Sequence, residues 1–128
     1  MLRLELPFPP SVNHYWRRVG PRTLISRGGR AFRQAVCSIL AAQGVRPMDG
    51  PLEIFIDLYP PDRRRRDADN ANKALLDALA HGGAYFDDSQ LVHIDIWKRY
   101  PVLGGKTVVR LRPVARGVDQ PEEKGTEP

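Results

Sequence analysis

A chain of 128 residues, 41% of them hydrophobic, suits one domain with one core and is too apolar for a disordered protein. The lone cysteine, Cys37, excludes an intramolecular disulfide and fits a reducing, cytoplasmic setting, and no window approaches the 18 continuous apolar residues of a membrane span. The net charge is +5, but residues 117–128 hold four acids and one lysine; the preceding residues therefore carry +8, and 16 of their 19 basic residues are arginine, the side chain suited to bidentate phosphate contact.

Residues 2–6, LRLEL, alternate apolar and polar and predict a strand, which PFPP ends. This opening has no long apolar run and predicts no signal peptide. Residues 11–30 are rich in Arg, Gly and aromatics without a period and predict a long loop, with a short strand near Thr23 to Ile25. Phe32, Ala35, Val36, Ile39 and Leu40 mark one face of a helix that Gly44 stops. In PLEIFIDLYPP, Leu52, Ile54, Ile56 and Leu58 share one face of a strand, and Glu53 and Asp57 the other. A second helix carries Ala71, Ala74, Leu75, Ala78 and Leu79 as its stripe and ends at Gly82-Gly83. Residues 91–99 predict a strand, and the segment from Lys106 its hairpin partner across Gly104-Gly105. The fold class is α/β: one domain over residues 1–116, with a mixed β-sheet of about four strands and two helices on one face. Residues 117–128 are expected to be a flexible acidic tail.

The chemistry concentrates in RRRRDADNANKALLDAL, Arg63 to Leu79. Asp67 and Asp69 are two residues apart, and on an extended lead into the helix they point the same way. Lys73 follows Asp69 by one helical turn. A second pair, Asp87-Asp88, precedes the next strand. If the two connections of this strand-helix-strand unit approach each other, three or four carboxylates share a small space. Their repulsion calls for a hard divalent cation such as magnesium, which can polarise a phosphodiester and activate water. Lys73 would then neutralise charge building in the reaction. Asp69 can also be read as a simple helix cap. The arginines Arg63, Arg64, Arg65 and Arg66 can grip phosphates or pair with neighbouring aspartates; in an extended run only alternate ones face the site, and Arg66 adjoins Asp67. His14, His81, His93 and Cys37 lack zinc-ligand spacing. His81 suits a helix C-terminus, His93 a structural place in a strand, and Tyr15 and Trp16 either stacking on bases or a place in the core.

The string PDRRRRDADNANKALLDAL followed by FDDSQLV resembles the RusA family of Holliday-junction resolvases. LPFPPSVNHYWR and TLISRGGRAFRQAV extend the similarity, which runs over roughly residues 3–112. The resemblance implies a magnesium-dependent endonuclease, with manganese as a substitute. Such an enzyme acts as a homodimer on four-way DNA junctions and makes paired, symmetric nicks. By position, Asp67, Asp69 and Asp88 match the catalytic, metal-binding acids, Lys73 the lysine of the motif, and Asp87 a secondary acid. The arginine run is expected to bind DNA. Two other readings are a non-catalytic module that binds branched DNA and a nuclease acting on flaps or forks.

Overall fold

The computed structural model describes residues 1–114; the expected acidic tail, 117–128, lies outside them. The elements run β1 (Leu2–Leu6), α1 (Val12–Tyr15), β2 (Trp16–Val19), β3 (Arg22–Ile25), α2 (Arg27–Ala42), β4 (Leu52–Tyr59), α3 (Ala68–His81), β5 (Leu91–Lys98) and β6 (Lys106–Pro113). Four strands form a mixed sheet in the order β1-β6-β4-β5. Residues 11–30 are more ordered than their composition suggests: a single turn of helix leads into the antiparallel hairpin β2-β3.

The expected hairpin between β5 and β6 does not form. β4 lies between them, pairing parallel with β5 and antiparallel with β6, which reaches β1 on its other side. The connection from Arg99 to Gly105 is too long for a two-residue turn. Its backbone instead crosses the end of β4, where Arg99 N donates to Leu58 O (2.7 Å) and Val102 N to Pro60 O (2.9 Å).

Leu52, Ile54, Ile56 and Leu58 of β4 are buried beneath Val36 and Leu40 of α2 and Ala74, Leu75 and Leu79 of α3. No described helix lies over the opposite face, which is closed by arginine. Glu53 and Asp57, 6% and 8% exposed, are paired: Arg112 Nε donates to Glu53 Oε2 (2.9 Å) and Arg99 Nε to Asp57 Oδ1 (2.7 Å). The guanidinium groups of Arg110 and Arg112 lie over Phe55 at 5.4 and 5.5 Å. Removing Arg112 would leave the buried Glu53 carboxylate uncompensated, whereas Asp57 also has Arg110 Nη2 at 3.7 Å. No described helix is long and apolar enough to cross a membrane.

Ser26 caps α2, accepting from Gly29 N (2.9 Å), and Ser26 N donates to Tyr15 O (2.8 Å). The first turn of α2 is thereby pressed against α1. A Cβ at Gly29 would run into the Tyr15 carbonyl oxygen, whereas one at Gly28 meets nothing closer than Ser26 Oγ at 4.0 Å. Gly29→Ala is expected to lower stability by about 1–3 kcal/mol through overpacking. Gly28→Ala is expected to be neutral or slightly stabilising, since alanine is the better helix former. Urea midpoints of the two variants check this.

Candidate active site

α3 starts one residue after Asp67, which is its N-cap: backbone extended at φ −96°, ψ 122°, with Oδ1 accepting from Asp69 N at 3.1 Å. Asp69 therefore stands in the first helical turn and not on the extended lead, and the cap is Asp67. Negative charge in this turn complements the positive end of the helix. Lys73 follows one turn on and is exposed.

The arginine run divides by role. Arg66 is largely covered, and its Nη1 donates to Asp62 Oδ1 (2.7 Å), Asp62 O (3.3 Å) and Arg64 O (3.2 Å). Its guanidinium lies 5.6 Å from the Phe8 ring centre. Lys98 Nζ donates to Arg66 O at 2.6 Å, fastening the loop to the end of β5. Arg66 is thus the strut of the loop, and its carboxylate partner is Asp62, outside the acids singled out in the sequence. Arg63, Arg64 and Arg65 are exposed. Arg64, Arg65, Arg66 and Asp67 line one wall of a groove of about 440 Å³; Phe8, Pro9 and His14 line the other.

Asp87 and Asp88 begin a 3₁₀ turn, Asp88–Gln90. Asp87 Oδ2 accepts from Ser89 N (2.9 Å), and Gln90 Oε1 accepts from Asp87 N (3.0 Å), a capping box. Hydrogen bonds from Ser89 hold the Asp87 carboxyl below its ordinary range. Gln90 Nε2 fastens the turn to Met48 O (2.9 Å) and Gly50 O (2.8 Å). Asp87 is therefore engaged in shaping the turn. Asp88 is pushed up, first by burial and then by the charges of Asp87 and Asp77, against a hydrogen bond with Tyr85.

Asp77 was not singled out from the sequence, although its spacing from Asp69 and Lys73, one helical turn at a time, was legible. It joins three helices: Tyr15 of α1 donates its hydroxyl to Asp77 Oδ2, and Arg33 Nη2 of α2 donates to the same oxygen at 2.9 Å. Burial first, and then Asp77, push the Tyr15 hydroxyl up to about 12. Tyr15 is fully buried, which settles the choice between stacking platform and core for that residue.

The expected gathering of carboxylates within the chain is not made. Among the described residues no group of three or more His, Cys, Asp or Glu side chains could hold a metal ion. The reason is topological. Asp67 and Asp69 lie at the edge where β4 and β5 end, beside Lys98, and Asp88 lies at the edge where those strands begin, beside Met48 and Gly50. The donor chemistry nonetheless suits a hard divalent cation. Asp67, Asp69 and Asp88 are oxygen donors with no salt-bridge partner among the described residues, whereas Glu53, Asp57, Asp62 and Asp77 each have an arginine.

The family described as Endodeoxyribonuclease RusA matches residues 7–112. The crossover junction endodeoxyribonucleases of Enterobacteria phage 82 and Escherichia coli strain K12 are each 40% identical to this chain over 104 residues, 80% of this chain and 87% of theirs. That of Enterobacteria phage HK97 is 38% identical over 107 residues, 83% and 89% of the two chains.

Arg66 holds the Asp62 carboxyl at about 2, below its usual 3.8, with the Arg64 backbone N–H adding to the effect. Because the folded value is the lower one, the stability this pair adds is present above 3.8 and is lost as pH falls through about 2. Arg66→Gln is expected to return the Asp62 midpoint toward 3.8, read by carboxyl-carbon NMR titration.

Proposed function

The chain belongs to the RusA family of endodeoxyribonucleases, and from that membership we propose that it cuts four-way DNA junctions by paired, symmetric hydrolysis of phosphodiester bonds in the cytoplasm. The observation that carries the reading is the set of acids with no cationic partner beside an exposed arginine loop. Asp67, Asp69 and Asp88 lack arginine partners among the described residues, and Arg63, Arg64 and Arg65 face solvent beside Asp67 and Asp69.

DNA docks along the groove between the arginine loop and the segment holding Phe8 and His14. Arg63, Arg64 and Arg65 neutralise standing phosphate charge there, in contacts that position the strand without reading its sequence. Arg66 contributes by keeping the loop in place. Asp67, Asp69 and Asp88 would hold magnesium, or manganese in its stead, which would supply Lewis-acid polarisation of the scissile phosphate. Lys73, on the exposed side of α3 one turn beyond Asp69, offsets negative charge building on the phosphoryl oxygens or the leaving group. Asp87 shapes the turn that presents Asp88. A four-way junction has two-fold symmetry, so two matched cuts need two related sites and the working form is a homodimer.

A labelled four-way junction incubated with the protein and magnesium is expected to yield paired nicks, and chelator should abolish them. Asp67→Asn should cut about 100-fold more slowly or worse while still binding the junction. Equal cutting by the variant, or tight binding with no cutting at any magnesium concentration, contradicts the reading; the latter is the behaviour of a pure junction binder.

A further inference from the structure

Both walls of the proposed DNA groove are tied to one segment, Lys98 to Thr107, which leads from the end of β5 into β6. On the side of the arginine loop, Lys98 Nζ donates to Arg66 O (2.6 Å) and Val102 N to Pro60 O (2.9 Å). On the side of Phe8, the fully buried Thr107 donates its hydroxyl to Pro7 O (3.1 Å). Gly105 packs against both. Its φ of +70° suits glycine, and a Cβ there would stand 2.9 Å from Phe8 Cβ and 3.1 Å from Pro61 Cδ. The spacing between Phe8 and the arginine loop is therefore set by this segment.

Lys98 differs from the other ties in being charged and exposed. Water competes for such an ammonium, so one bond from it to a carbonyl adds little to stability. Its importance lies in what the carbonyl belongs to. Arg66 O is part of the planar peptide whose nitrogen is that of Asp67. Holding this oxygen sets the tilt of the plane, and with it the direction in which Asp67 enters α3. Asp67 is fixed from its other side too: Oδ1 accepts from Asp69 N (3.1 Å), and its carbonyl oxygen accepts from Asn70 N (3.1 Å). Asp67 Oδ2 has no hydrogen bond among the described residues. With the peptide held behind it and the cap bond ahead, this free oxygen keeps one orientation. Lys98 and Asp67 also line one crevice with Phe8 and Leu58, which confines the lysine stem.

We propose that Lys98 is a positioning residue of the active site, its ammonium holding the Arg66–Asp67 peptide so that the free Asp67 oxygen stays in the orientation that serves the cation; this rests on the reading of Asp67 as a metal-holding acid. The role asks for one donor at the right reach, not for a paired fork, so arginine can stand in for lysine here.

The test compares Lys98→Met, which keeps a stem and removes the donor, with Lys98→Arg. Without metal, the Asp69 and Asn70 amides of Lys98→Met should exchange hydrogen about 3- to 10-fold faster, as the loss of one modest hydrogen bond allows, with exchange elsewhere and the thermal midpoint unchanged. Nicking of a four-way junction at saturating magnesium should fall about 10- to 100-fold, the cost of a misaimed ligand. Junction affinity in chelator and its salt slope should stay as in the unsubstituted protein, and Lys98→Arg should recover most of the rate. Unchanged nicking by Lys98→Met overturns the proposal. So does a salt slope lowered by about one, the mark of a direct phosphate contact, and so does faster exchange throughout the chain with a lower thermal midpoint, the mark of a mere stability tie. Asp67→Asn run alongside separates the two readings. If it is inactive while Lys98→Met is fully active, only the positioning role falls; if Asp67→Asn is itself fully active, the catalytic reading falls and this proposal with it.

Discussion

A helix that links two neighbouring parallel strands has to travel back along the sheet before the second strand can begin. Whatever starts the helix and whatever starts the second strand are therefore held at opposite edges. In this chain β4, α3 and β5 form that unit, and it governs everything chemical in the molecule. The arginine loop and the pair Asp67–Asp69 sit at one edge, and the Asp87–Gln90 turn at the other. The alanine and leucine stripe of α3 locks the arrangement, because sliding a close-packed helix by one turn would strip its core contacts.

Charge compensation explains which side chains remain available. A carboxylate taken out of water is costly without a partner. Glu53 and Asp57 are buried and Asp77 is half-buried, and each has an arginine from a neighbouring element. Asp62 is exposed and spends its charge on tying down Arg66. Near α3, Asp67, Asp69 and Asp88 are among the acids with no salt-bridge partner among the described residues, and Arg63 and Arg65 are exposed cations that also have none. On the proposed reading, cations and anions stand side by side in this segment because they address different charges, the arginines the phosphate backbone and the acids a divalent cation.

Much of this was legible in the sequence. The period-two pattern of β4 and the helical stripes of α2 and α3 located the core, because burial on one face dictates those spacings. The Arg-run, DxD and DD strings marked the chemistry and carried the family resemblance. What the sequence hid was relational. Nothing local in Leu91–Lys98 says that it pairs parallel with β4 rather than with the segment after Gly105, so the hairpin expectation failed, and with it the idea that the two acid pairs converge. Arg66 looked like a site residue because of its neighbour Asp67, but its guanidinium reaches back to Asp62, a choice set by the turn of the loop. Tyr15 looked equally suited to core and surface until Asp77 and Arg33 supplied partners for its hydroxyl.

The central proposal is that the unpaired acids beside the arginine loop hold a divalent cation. Its most direct measurement is anomalous scattering from manganese in crystals of the protein bound to a four-way junction. The account predicts a manganese peak flanked by Asp67 and Asp69 beside a junction phosphate. A peak seated away from Asp67 and Asp69, or no peak beside the junction, would contradict it.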